Sequence, residues 1–145
     1  MKDITIYTDG ACSGNPGKGG WCAILIYNGH EKVLSGYNKE TTNNRMELFA
    51  VIQGLRQLNQ SCNVDIFSDS AYVVNAIQNK WLENWNINGW KTSNKEAVKN
   101  DDLWRLLLVE LKKHNVEFNK VKGHSNDIYN EKCDKFAKNE ITQNS

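Results

Sequence analysis

Along the 145-residue chain the spacing of hydrophobic and polar positions changes several times, and each change marks an element. Ile4, Ile6 and Thr8 alternate with Thr5, Tyr7 and Asp9, which predicts a strand over 3–8. A second strand is expected over 21–27, and Asn28-Gly29, a strong hairpin signal, leads to a third near 32–37. The period then lengthens. Leu48, Ile52, Leu55 and Leu58 recur at helical spacing, so a helix is expected over 45–58, capped by the polar turn Thr41-Thr42-Asn43-Asn44. A short strand over 64–68 and a helix from about Ser70 follow. Beyond them come a helix over 103–113, a strand over 116–122 and a helix over 130–141. Three hairpin-linked strands and then helix–strand–helix–strand–helix predict an α/β fold, a mixed sheet flanked by helices. The 64–68 strand should join the first in parallel, through a right-handed crossover.

Length and composition narrow this picture. The chain suits one domain over 1–145 with a single core, and a Trp-rich insert at about 80–99 is expected to protrude from it. Hydrophobic residues make up 39% and charged ones 24%, ordinary values for a globular protein. No apolar run is long enough to span a bilayer and no signal peptide is visible, so a cytoplasmic monomer is expected. Cys12, Cys22, Cys62 and Cys133 lack metal-like spacing and read as free thiols. The net charge of +1 excludes a protein that holds polyanions by bulk charge. Nucleic acid would have to be bound through local patches and metal ions.

Two segments rhyme. Tyr7-Thr8-Asp9 and Phe67-Ser68-Asp69 each run aromatic, hydroxyl, aspartate at a strand's end, followed by a small residue, Gly10 or Ser70. If their strands are parallel neighbours, both carboxylates emerge side by side beyond the carboxyl edge of the sheet, where ligands commonly sit in open α/β sheets. Anions that close repel one another unless one is protonated or a cation lies between them. A hard divalent cation such as Mg²⁺ suits oxygen ligands of this kind. Either aspartate alone reads as a turn or cap residue; the repetition is what points to metal. By position alone, Glu47 reads as a dipole-favoured acid of a helix's first turn and Asp134 as a solvent-side acid.

A longer pattern carries further. Asp9-Gly10-Ala11-Cys12-Ser13-Gly14-Asn15-Pro16-Gly17, Thr41-Thr42-Asn43-Asn44-Arg45-Met46-Glu47, Asp69-Ser70 and Gly89-Trp90-Lys91 stand in the first part of the chain. Lys99-Asn100, Asp102-Leu103-Trp104, Lys122-Gly123-His124, Asn130-Glu131 and Cys133-Asp134 follow. In order and spacing, across nearly the whole chain, this resembles type 1 ribonuclease H of the bacterial kind. The resemblance implies a ribonuclease H-like fold, a five-stranded mixed sheet with its first three strands antiparallel. It implies an endoribonuclease that hydrolyses the RNA strand of RNA–DNA hybrids, leaving 5′-phosphate and 3′-hydroxyl ends. Asp9, Glu47, Asp69 and Asp134 would hold two Mg²⁺ ions, with Mn²⁺ able to substitute. His124 resembles the family's proton-carrying loop histidine. Cys12, Asn15, Asn43 and Asn44 resemble its readers of the RNA 2′-hydroxyl. Thr42 and Asn100 look like a pocket for a DNA-strand phosphate, and Trp81 like an aromatic that packs on DNA sugars.

The chain also departs from that pattern. Asn86-Ile87-Asn88 replaces a stretch usually rich in Lys and Arg, and Glu96 puts an acid on the insert, so weaker hybrid binding with a shallow salt dependence is expected. Glu40 stands where an arginine often supports the phosphate pocket, Ala71 where a glutamine often reaches the RNA, and the segment 125–129 lacks the usual glycine. On its own the insert reads as a satellite core of Trp81, Trp85, Trp90 and Trp104, with Lys80, Lys91, Lys95 and Lys99 available to phosphates. A P-loop is excluded, because Cys12 takes the first glycine's place and Gly19 follows Lys18. Two alternatives remain: a non-catalytic hybrid-binding module, and a nuclease of the same superfamily acting on another nucleic acid.

Overall fold

A computed structural model describes residues 1–121 and 127–144. The elements run β1 (Lys2–Gly14), β2 (Gly17–Tyr27), β3 (His30–Thr41), α1 (Asn43–Arg56), β4 (Cys62–Ser68) and α2 (Ala71–Gln78). Then come α3 (Trp81–Ile87), α4 (Asp101–Leu111), β5 (Asn115–Lys120) and α5 (Ile128–Gln143). The sheet order is β3-β2-β1-β4-β5. β1, β2 and β3 are antiparallel, while β4 runs parallel to β1 and β5 parallel to β4. This is the five-stranded mixed sheet that the sequence implies.

The strands outrun their hydrophobic alternation. β1 stays paired with β2 from Thr5↔Ile26 to Gly14↔Gly17, through a stretch of Gly, Ala, Cys and Ser that carries no apolar rhythm. Backbone hydrogen bonding, not side-chain burial, sets its length there. β3 likewise continues to Thr41 through the polar Asn38-Lys39-Glu40. The Asn28-Gly29 turn behaves as its sequence demands, with φ of 49° and 78°, both in the left-handed region that a two-residue hairpin turn requires.

Side-chain parity divides the core. Ile4, Ile6, Val64 and Ile66 are buried in one cluster with Leu48, Ile52 and Leu55 of α1 and with Leu103, Trp104 and Leu107 of α4. The opposite face is covered by α5, whose Cys133 and Ala137 are buried with Cys22 and Ile24. The tryptophans of the insert do not form a separate satellite. Trp90 and Trp104 are buried in the main cluster and Trp85 packs against it, with its ring centroid 5.6 Å from that of Trp104. The reason is that α4 leans on α1, so the aromatic row closes the end of the existing core. Trp81 meets Trp85 with ring centroids 6.2 Å apart but is 43% exposed. All four cysteines are free; Cys22, Cys62 and Cys133 are buried. Among the described residues, no helix is long and apolar enough to cross a membrane.

A candidate acidic metal site where the sheet divides

Pairing between β1 and β4 ends at Tyr7↔Phe67, yet β1 continues along β2. The sheet therefore splits beyond this pair. The two rings stack on one face, 4.9 Å apart with an interplanar angle of 17°. Asp9 and Asp69, two residues further along, share that parity and sit at the split. Thr8 and Ser68 turn to the opposite face and are buried.

The two helices that cover the sheet bring the other acids. Tyr7 also packs on Tyr129 of α5, centroids 5.2 Å apart, so the aspartates lie on the α5 side, and α5 carries Asp134. Glu47 comes from α1 on the other side, past the sheet's end. Gly10 lets it do so: a Cβ there would lie 2.4 Å from the backbone nitrogen of Glu47, so any side chain would push α1 away. Thr42 fixes the start of that helix, its Oγ1 accepting from Arg45 N at 3.2 Å. Ser70 does the same for α2, accepting from Val73 N at 3.3 Å.

Carboxylate oxygens of Asp9, Glu47 and Asp69 all lie within 4.8 Å of one another. Asp9 and Glu47 are buried. Burial, and then the neighbouring Asp69 and Asp134, push Asp9 up to about 8. Burial, and then Asp9 and Asp69, hold Glu47 well above the usual carboxylate range. One buried oxygen of Glu47, Oε1, has no hydrogen-bond partner. An all-oxygen set of mutually repelling acids with an unsatisfied buried oxygen fits a hard divalent cation, which neutralises the charge and takes up the lone pair.

Asp134 is half-exposed and tied by Oδ2 to Lys138 Nζ at 3.0 Å. It lines one open pocket of about 500 Å³ with Asp9, Glu47 and Asp69. Cys12, Asn43 and Asn44 line the same pocket. Asn15 joins them indirectly, its Oδ1 accepting from Asn43 N at 3.3 Å. Thr42 and Asn100 are linked through Arg45, which takes its cap from the first and donates to Oδ1 of the second at 3.2 Å. Trp81 is not among the pocket residues. His124 lies outside the described residues.

Three participants escape the sequence reading. Lys138 stands four residues after Asp134, a spacing that helical geometry alone would flag. Tyr72 lines the pocket, and its Oη accepts from Asn100 Nδ2 and Trp104 Nε1, both at 3.1 Å. Gly10 matters for the Cβ that it lacks, which no pattern of side chains reveals.

A family model described as RNase H matches residues 1–142. The chain belongs to the ribonuclease H family. It is 59% identical over 143 residues to a ribonuclease H of Caldicellulosiruptor saccharolyticus, covering 99% of both chains. It is also 59% identical over 145 residues to a ribonuclease H of Acetivibrio thermocellus, covering all of this chain and 99% of the relative. Among solved ribonuclease H structures, LC9-RNase H1, described as a type 1 RNase H with the type 2 active-site motif, superposes with a TM-score of 0.88 at 27% identity. That likeness covers 100% of this chain and 74% of the other. LC11-RNase H1, solved in complex with an RNA/DNA hybrid, gives a TM-score of 0.73 at 21% identity over 97% of this chain and 98% of the other, a likeness of fold. The enzymatic expectation drawn from the sequence stands with this ribonuclease H membership.

Proposed function

We propose that this enzyme hydrolyses the RNA strand of RNA–DNA hybrids, with Mg²⁺ held by Asp9, Glu47, Asp69 and Asp134, leaving 5′-phosphate and 3′-hydroxyl ends. The observation that carries the proposal is the cluster of three carboxylates within 4.8 Å, two of them buried, at the split of the sheet. Asp9, Glu47, Asp69 and Asp134 would hold two such cations, or Mn²⁺ in their place, which would supply the charge to activate a water and stabilise the departing oxygen. The membership of the family and the hybrid bound by LC11-RNase H1 support the choice of substrate.

The chain's own residues have distinct tasks. The Gly10 N–H donates to Asp9 Oδ1 at 2.9 Å and fixes that carboxylate's orientation. Lys138 holds the half-exposed Asp134 in place. Cys12, Asn43 and Asn44, on the wall of the same pocket, offer donors and acceptors to RNA 2′-hydroxyls, with Asn15 bracing Asn43. Thr42 and Asn100 serve a phosphate of the DNA strand, Trp81 packs on its sugars, and His124 moves a proton to or from the reacting oxygens.

The test is cleavage of matched RNA–DNA hybrid, RNA duplex and DNA duplex by the wild type and by Asp9→Asn, with Mg²⁺ present and chelated. The expected result is cutting of the hybrid's RNA strand alone, by the wild type alone, and only with the cation. Equal cutting by both proteins would remove the site, and equal cutting of all three substrates would remove the specificity. Tight hybrid binding without any cutting would make the chain a binding module instead.

A further inference from the structure

Among the described residues, two basic side chains at or beside the acidic pocket are already engaged. Lys138 is paired with Asp134, and on the other side Arg45, two residues before Glu47, is paired with Asp102. The second pair is a planar fork: Arg45 Nη1 donates to Asp102 Oδ1 at 3.0 Å and Nη2 to Oδ2 at 2.7 Å. This is the geometry in which a guanidinium also grips a phosphate. The fork is open to solvent, since the Arg45 side chain is 33% and that of Asp102 60% exposed. Solvent screens a pair this exposed, so the partner is exchangeable.

The surroundings hold the guanidinium ready for such an exchange. Arg45 Nη1 also donates to Oδ1 of Asn100. Asn100 is itself fixed: its backbone is left-handed, with φ of 60°, and its Nδ2 donates to Tyr72 Oη at 3.1 Å. Tyr72 Oη also accepts from the buried Trp104. Removing Asp102 from the guanidinium would therefore leave Arg45 anchored by Asn100 beside the pocket wall formed by Asn43, Asn44 and Tyr72.

We propose that Asp102 is a built-in competitor for a phosphate at Arg45: binding of the nucleic-acid backbone exchanges the Asp102 carboxylate for a phosphodiester on the same fork. Arg45 is then a substrate-binding residue, and Asp102 sets affinity by acting through it. This deepens the hybrid-cleaving reading and rests on it. It also gives a cause for a shallow salt dependence. A phosphate that displaces an internal carboxylate releases a counterion from the nucleic acid, but the freed Asp102 takes a cation up again, so the net release is smaller.

The test is anisotropy of a labelled RNA–DNA hybrid in Mg²⁺ across a salt series, with every protein in an Asp9→Asn background so that the probe stays intact. Asp102→Asn should tighten binding by about fivefold and steepen the slope of log affinity against log salt by up to about one. Asp101→Asn, whose carboxylate pairs with Arg105 at 3.2 Å, controls for through-space repulsion and should give a smaller gain with an unchanged slope. In an Arg45→Ala background the gain from Asp102→Asn should shrink, and Arg45→Lys, which cannot form the fork, should bind between Arg45→Ala and the Asp9→Asn parent. Equal gains from Asp101→Asn and Asp102→Asn, or a gain undiminished without Arg45, would overturn the exchange. Absence of hybrid binding by every variant, the Asp9→Asn parent included, would count instead against the hybrid-binding reading beneath it.

Discussion

The split of the sheet and the aromatic insert lie at neighbouring parts of the molecule and are built in opposite ways. At the split, the backbone of β1, β4 and α1 forces acids together, and Asp9 and Glu47 are buried against their own electrostatics. In the insert and the adjoining α4, Trp85, Trp90 and Trp104 close an apolar core in which each contact is favourable. In the first region ionisation is unfavourable unless a proton or a cation offsets the charge; the second is an apolar core with no such charge to offset. Mutations should therefore move activity and stability in different directions in the two places.

The largest effect expected is on chemistry. Glu47→Gln keeps the shape of the side chain and removes its charge, and should lower hybrid cleavage by about 10³-fold or more at saturating Mg²⁺, measured in single-turnover assays. The fold should survive, and its thermal stability in chelator should not fall. Trp104→Ala is the opposite case. Its ring is fully buried and its Nε1 donates to Tyr72 Oη, so its loss should cost about 3–5 kcal/mol in denaturant unfolding.

A third expectation concerns pH. The raised Asp9 and Glu47 bind protons in the folded protein that the unfolded chain has already released. Their contribution to stability is therefore complete below the ordinary carboxylate range, near pH 4, and is lost as pH rises toward about 8. The metal-free wild type should melt at progressively lower temperature across that window. Asp9→Asn cannot ionise and should be the more stable protein in chelator at pH 8, by about 2 kcal/mol or roughly 5 °C. A metal-free melting temperature that rises between pH 5 and pH 8 would contradict this. The smallest effect sharpens the other half of the comparison. Trp81, alone in its row in being 43% exposed, should weaken hybrid binding by about tenfold when changed to Ala while moving the melting temperature little.

The contrast also explains what the sequence discloses. Alternation found the central strands because half their side chains are buried, and the twin tripeptides found Asp9 and Asp69 because β1 and β4 are in-register neighbours. The reach of β1 to Gly14 was not visible, since its last residues are held by main-chain bonds to β2. Asp134 looks like an ordinary surface acid from spacing alone. The packing of Tyr129 on Tyr7, and of Cys133 and Ala137 on Cys22 and Ile24, shows that its helix covers the face on which Asp9 lies. Gly10 was silent because it acts by absence, whereas the four-residue spacing of Lys138 from Asp134 gains meaning only once Asp134 is placed at the site. In the aromatic insert the sequence indicated packing correctly but misplaced its boundary, because the lean of α4 on α1 is a tertiary fact.

The buried acids of the split are a site for a divalent cation under the function proposed above. That assignment is tested most directly by calorimetric titration of Mg²⁺ in buffers of different ionisation enthalpy, for the wild type and Asp9→Asn. Binding at pH 7 should release protons, the release should fade as pH passes about 8, and Asp9→Asn should release fewer protons and bind more weakly. Binding without proton release, or a release undiminished in Asp9→Asn, would contradict it.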